Sequence, residues 1–216
     1  MAFPSRMLDY SQIAVDMVNG KAQASGLGEL VTAIRHDVRA ALPFADNRFD
    51  AAYSHMLYCM PITNAEVERL SQEIHRVLKP GGLNIFTVRH TGDPHFGTGI
   101  HRGEEMYEVG GFIVNFFDRA KVERVSQGYD LLNVGEFEEA GMPRKLFRVT
   151  LKKPTVRPEE RQNINDIRHD RRYSTATVEP GVEVPQNSSR IWSAIIRGEL
   201  SPPRPTPNSP VGGEVV

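Results

Sequence analysis

Apolar positions along this chain change their period in a set order. Phe49 to Met56 is a short, mostly apolar run bounded by polar residues, which predicts a strand buried on both faces. Val67, Leu70, Ile74, Val77 and Leu78 then recur at helical spacing and share one face of a helix. Thr63, with Glu66 three residues on, is a capping box that fixes where this helix starts. Lys79-Pro80-Gly81-Gly82 should stop it, because proline cannot continue a helix and glycine takes up the conformations that close one. Leu83 to Val88 is a second apolar run, predicted as a strand. Strand, helix and strand make one βαβ unit, with parallel strands and an almost always right-handed crossover.

The flanking segments extend the pattern. Phe3 to Leu8 predicts a strand ending in Asp9, after which Ser11 caps a helix with Ile13, Ala14, Met17 and Val18 on one face. Gly26 to Gly28 ends that helix, and Leu30 to Ile34 predicts a strand leading into His36-Asp37. Downstream, Asp118 caps a helix reaching about Gln127, with Val122 and Val125 facing inward. Tyr129 to Phe137 and Lys145 to Lys152 alternate with period two around Gly141-Met142-Pro143 and predict an antiparallel pair. Residues 91–117, rich in Gly and His, are expected as a loop beyond the carboxyl end of a parallel strand, where such sheets place their ligands.

Leu42-Pro43-Phe44-Ala45-Asp46, the Phe49-Asp50 pair and Arg76-Val77-Leu78-Lys79-Pro80-Gly81-Gly82, at this spacing, carry a family resemblance. Over residues 6–153 the chain resembles the class I S-adenosylmethionine-dependent methyltransferases, in particular their type 11 group. The resemblance implies an α/β, Rossmann-like sheet in the order 3-2-1-4-5-7-6, mostly parallel with an antiparallel last strand. It implies S-adenosylmethionine as cofactor and a small-molecule methyl acceptor. Aligned in this way, Phe3 to Leu8 matches the second strand of the family, so the first strand and its glycine-rich turn are expected to be absent. The expectation is therefore a sheet incomplete at its N-terminus, from a start lying upstream or from a fragment. Without a central strand, two half-sheets would face each other with unpaired edges, unless they close directly on one another.

The same resemblance assigns a cofactor site. Asp9 would accept hydrogen bonds from both ribose hydroxyls, since a carboxylate has two oxygens for two donors. Asp37 would meet the adenine amino group, with the Val38 amide beside it. Ser54 and His55 would line the pocket wall, and Tyr10 and Met56 would pack against the adenosine. Each has a plainer reading as well: Asp9 as a helix-start acid, Asp37 as a turn aspartate, and the others as strand-end packing or surface. Among His90, His95 and His101, near Asp93, an imidazole suits proton abstraction because it titrates near neutrality, although solvent-exposed loop histidines are the plainer reading. Their H-x4-H-x5-H spacing lacks the tight pairing of zinc sites, so no metal is expected. Cys59 reads as packing. Methyl transfer asks chiefly for alignment of donor and nucleophile and exclusion of water, so no catalytic acid or base is assigned.

Composition narrows the partners. With 26 Lys+Arg against 27 Asp+Glu the net charge is −1, which implies no pull toward nucleic acid or acidic membranes. One cysteine excludes an intramolecular disulfide and fits a reducing cytoplasm. No apolar run is long enough to span a bilayer and the N-terminus lacks a secretory apolar core, so a soluble, cytoplasmic protein is expected. Oligomeric state is left open. After Lys153 lie nine of the 15 prolines, with eight arginines against eight acids and no lysine. Residues 1–153 are thus expected as the domain and 154–216 as a disordered tail. Within that tail, Trp192, Ile195 and Ile196 of Arg190-Ile191-Trp192-Ser193-Ala194-Ile195-Ile196-Arg197-Gly198-Glu199-Leu200 share the apolar surface of one helical turn, read as a short helix patching the domain or as no element, with a partner-binding motif as the alternative. The alternative to an enzyme is a non-catalytic methyltransferase remnant or partner-binding protein that has lost its cofactor. A nicotinamide-dependent oxidoreductase is disfavoured by the lack of a strand-linked G-x-G-x-x-G.

Overall fold

In the computed structural model, residues 4–139, 141, 143–155 and 194–198 are described. The βαβ unit forms as the periodicity dictates, from β3 (Phe49–His55), α2 (Asn64–Val77) and β4 (Leu78–Arg89). Thr63 and Glu66 close the capping box at the start of α2, worth about 1 kcal/mol. Val67, Leu70, Ile74 and Val77 are all buried against the sheet, each contributing roughly 1.5–3 kcal/mol. The helix yields directly to β4 at Leu78. Pairing of β3 with β4 slips between Phe49↔Leu78 and Ala51↔Leu83, so Lys79 to Gly82 are looped out inside the strand. A side chain at Gly82 would meet the carbonyl oxygens of Lys79 and Asp50 at 2.9 and 3.1 Å, which is why glycine sits there.

Upstream lie β1 (Ser5–Asp9), α1 (Gln12–Ala24) and β2 (Val31–Arg35), with β1 and β2 parallel. The Ser11 hydroxyl caps α1 as expected. The buried face of α1 differs from the expected one: Val15 and Ala22 are buried, whereas Ile13 is 74% and Met17 54% exposed. Met7 of β1 and Ala33 of β2 form the small core on this side, and they meet Val15 and Val18. Downstream come β5 (Ile100–His101), β6 (Met106–Val109), β7 (Phe112–Asn115), α3 (Arg119–Val125), β8 (Asp130–Glu138) and β9 (Lys145–Lys152). The Asp118 carboxylate caps α3. Residues 91–117 are not a plain loop, because β5, β6 and β7 form a separate three-stranded antiparallel sheet. Among the described residues no helix is long and apolar enough to cross a membrane.

The last strand, β10 (Ala194–Gly198), corrects two expectations. The main sheet has the order β2-β1-β10-β3-β4-β9-β8. This is the 3-2-1-4-5-7-6 arrangement with β10 in the central position, and β9 is antiparallel to both its neighbours. The two halves therefore neither stand open nor close directly on each other. Ala194–Gly198 runs antiparallel to β1 and to β3 and pairs with both. A helical turn was expected here. Two facing edges of unpaired N–H and C=O groups are satisfied by an extended strand and cannot be satisfied by a helical turn. Trp192 lies outside the described residues.

The main core fills the α2–α3 side of the sheet. Phe49, Tyr58, Phe86, Phe117, Leu146 and Leu151 are all fully buried there. Cys59 packs among them as expected. Its Sγ accepts the Arg89 N–H at 3.0 Å, and burial pushes its thiol up to about 12.

Candidate functional site

Parallel pairing brings the carboxyl ends of β1, β2, β3 and β4 to one edge of the sheet. Asp9, the last residue of β1, lies opposite Arg35 of β2, and the His36 N–H donates to the Asp9 carbonyl at 2.9 Å. Asp37 follows two residues beyond Arg35. The two carboxylates thus leave neighbouring strands at the same edge, and both are partly solvent-accessible. Across the central strand, Leu8 of β1 and Ser54 of β3 both face Ala194 in register. Two strand spacings therefore separate Asp9 from the Ser54-His55 end, roughly 10 Å.

The individual states of the six predicted residues differ. One oxygen of Asp9 accepts the Ser11 N–H at 2.8 Å in a local turn, and no second partner for the carboxylate occurs among the described residues. Asp37 is engaged on both oxygens: the Arg39 guanidinium donates to them at 2.6–3.1 Å and the Arg39 N–H donates at 3.0 Å. Those bonds hold the Asp37 carboxyl down at about 2. Val38 is half-buried and packs on the main core. Ser54 is buried, and its hydroxyl has no hydrogen-bond partner among the described residues. His55 Nδ1 shares a 2.7 Å hydrogen bond with the Thr87 hydroxyl, and burial lowers its pKa. Tyr10 is 65% exposed, with the Arg35 guanidinium over its ring at 5.8 Å.

A small apolar pocket of about 10 Å³, room for roughly one water molecule, lies between this edge and α2, with Leu8, Val38, Leu42, Ser54, Ile74 and Asn84 in its lining. It joins positions next to both carboxylates to the end of β3. Its lining carries one polar residue that sequence reasoning missed. Both side-chain polar atoms of Asn84, like the Ser54 hydroxyl, are buried without a hydrogen-bond partner of good geometry among the described residues. Behind them Tyr58 is fully buried, and burial pushes its hydroxyl up to about 12. Asn84 and Ser71 are its polar neighbours and offset part of that rise. His36 Nε2 is a further buried nitrogen, without a partner among the described residues, one residue from Asp37. The signal for Asn84 was present: a polar residue at an inward position of the apolar run Leu83 to Val88. Met56, expected against the adenosine, is instead buried in the main core.

The histidines of the 91–117 segment do not converge. His90 is buried rather than exposed, stacks on Phe147 with ring centroids 4.5 Å apart, and accepts the Gly92 N–H. His95 Nδ1 contacts the Arg89 guanidinium at 2.8 Å, and His101 Nε2 lies 2.8 Å from the Glu104 carbonyl. Asp93 is fully buried in an ion pair with Arg89. Among the described residues no three His, Cys, Asp or Glu side chains cluster as metal ligands would.

Residues 5–82 match the methyltransferase domain family. A 48-residue stretch is 42% identical to malonyl-[acyl-carrier protein] O-methyltransferase 1 of Coxiella burnetii, covering 22% of this chain and only 16% of that protein. Among solved structures, a Methanosarcina mazei S-adenosylmethionine-dependent methyltransferase shares the fold at 17% identity and a TM-score of 0.57, over 69% of this chain and 81% of that one. The [4+2]-cyclase SpnF is similar at 19% identity and a TM-score of 0.55, over 69% of this chain and 66% of that one. A cyclase on the same scaffold shows that the fold does not by itself fix the reaction. Strand order and the βαβ unit give this chain the fold of the class I S-adenosylmethionine-dependent methyltransferases, and its residues 5–82 are similar to the methyltransferase domain family.

Proposed function

We propose that this protein is an S-adenosylmethionine-dependent methyltransferase acting on a small-molecule acceptor. The observation that supports it most is the carboxylate pair Asp9 and Asp37 at adjacent strand ends, beside a small apolar pocket with Leu8, Val38 and Ser54 in its wall. In this reading the Asp9 oxygen left free by the Ser11 turn accepts the ribose hydroxyls. Asp37 and the Val38 amide receive the adenine edge, Ser54, His55 and Tyr10 border the adenosine, and the unpartnered His36 and Ser54 atoms supply further polar contacts. The cofactor, when bound, supplies a methyl group already activated by its sulfonium. This chain's own part is to hold donor and acceptor in line and to keep water out. The sheet of β5, β6 and β7, beyond the carboxyl end of β4, is the proposed wall of the acceptor side.

Binding of S-adenosylmethionine at a hundredfold excess over its Kd should stabilise the protein by about 2.7 kcal/mol, a rise in melting temperature of roughly 5–10 °C. Calorimetric titration of Asp9→Ala should show a Kd raised by roughly 10- to 100-fold, the loss of hydrogen bonds to a charged group. An unchanged Kd would remove Asp9 from the site.

A second reading, in which the family fold persists without a cofactor, is favoured by the Arg39 clamp, which occupies both oxygens of Asp37. Arg39→Ala separates the two. If Asp37 serves the adenine, freeing it should lower the Kd severalfold, measured at constant ionic strength. If neither wild type nor Arg39→Ala shifts its melting temperature with millimolar ligand, the cofactor-free reading stands.

A further inference from the structure

The central slot of the sheet is lined by two strands that do not pair with each other. β1 offers one edge through Ser5, Arg6, Met7 and Leu8, and β3 offers the other through Phe49, Ala51, Ala52, Tyr53 and Ser54. Each edge is supported without the strand between them: β1 pairs along its whole length with β2 and packs on α1, and β3 pairs with β4. The strand that joins them comes from far along the chain. Lys152 ends β9 and Ala194 begins β10, a gap of 41 residues. Such a stretch reaches at most about 140 Å, far enough for a neighbouring molecule's slot as well as its own. An empty slot would leave two backbone edges unpaired at the centre of a sheet, so a departing strand must be replaced.

We propose that this slot is an exchangeable strand-binding site whose second occupant is the 194–198 segment of another copy of this chain, so that two molecules trade β10 and form a strand-exchanged dimer. A second copy presents the same residues in the same register and polarity, so exchange needs no new complementarity. What binds the strand is a backbone ladder on both sides, the interaction used whenever an extended peptide completes a sheet.

Register supplies the test. Ser5 and Arg197 face each other across the antiparallel β1–β10 pair, at a separation a disulfide can span. The full chain carrying Ser5→Cys with Arg197→Cys is refolded at rising concentration, oxidised and run on a non-reducing gel. The natural Cys59 is buried and stays out of the reaction. A cross-linked monomer is expected at low concentration, giving way to a covalent dimer as concentration rises, with mixed dimers when two differently tagged copies are refolded together. Cross-linked monomer alone at every concentration overturns the exchange. No cross-link of either kind overturns the slot itself, and an equal dimer from Arg197→Cys alone shows a surface collision and overturns it too. Ile196→Pro, which removes a backbone donor in the middle of β10, should abolish the dimer seen by light scattering, and a dimer that persists in this variant excludes β10 as its cause.

Discussion

Asp93→Ala will melt roughly 6–20 °C below the wild-type protein, a loss of roughly 3–5 kcal/mol in denaturant titration. The Asp93 side chain is fully buried, and every strong acceptor direction on it is used. Arg89 donates to it through Nε at 3.0 Å and Nη2 at 2.5 Å. The backbone N–H groups of His95 and Lys145 donate to it at 2.9 Å each. Truncation strands a guanidinium that is itself only 5% exposed and leaves both amides without an acceptor. Arg89→Met should cost less, because Asp93 would keep its two amide donors. If Asp93→Ala unfolds within about 1 kcal/mol of wild type, the pair is hydrated in solution and holds nothing.

The same carboxylate sets a pH dependence with a definite sign. Burial raises its pKa, but Arg89 and the two amides outweigh that and the net shift is downward. A carboxyl whose pKa is lower in the folded state adds stability that is complete above its unfolded value. That stability is lost as pH falls through the folded value. The window therefore lies below about pH 4, the ordinary carboxylate range. Asp93→Ala should flatten the acid limb of the stability curve relative to wild type, with no change in slope between pH 5 and 8 from this group.

Legibility in the sequence tracked how local each structural cause is. The α2 cap, its apolar stripe and the flanking strands all arise within a few residues of chain, and they were readable. The Gly110-Gly111 pair was an unused local signal: both residues have positive φ, 60° and 81°, in the two-residue turn that closes β6 on β7 at Val109↔Phe112. Its apolar flanks, Tyr107 to Val109 and Phe112 to Val114, completed the hairpin pattern. By contrast, two adjacent isoleucines in a short run cannot tell a helical turn from a strand. What decided β10 was a pair of edges more than a hundred residues away. The face of α1 was misjudged for a related reason: Ile13 and Met17 are apolar, but Met7 and Ala33 choose which face is covered. The carboxylates Asp9 and Asp37 were visible through family resemblance, whereas the Arg39 clamp needs the geometry of the turn that follows β2. Asp93 drew attention beside histidines. Its actual partner, Arg89, sits four residues away across a strand end whose bend is not written in the local sequence.

Glu105→Ala should cost more than Lys121→Met, although both break the same ion pair. Lys121 is 1% exposed; its Nζ donates to Asn115 Oδ1 at 2.6 Å and Glu105 Oε2 at 3.0 Å, and lies over the Phe117 ring at 4.7 Å. Glu105 is about a third exposed and can be rehydrated when its partner leaves. Removing the acid leaves a buried ammonium whose charge is unpaired, at a cost of roughly 3–5 kcal/mol. Removing the lysine with a side chain of similar length leaves a solvated carboxylate and the Asn115 acceptor, at roughly 1–3 kcal/mol. The double variant should fall well short of the sum, by roughly 1–3 kcal/mol, because the two residues share one interaction. The location of the loss matters as much as its size. Asn115 also donates to the Ile62 carbonyl, and Glu104 accepts the Asn64 N–H at the start of α2. These bonds tie the sheet of β5, β6 and β7 to the main body. Hydrogen exchange in Glu105→Ala should therefore rise first at Tyr107, Glu108, Ile113 and Val114, while amides of β3 and β4 remain protected. Uniform loss of protection would instead make this sheet part of the global folding unit.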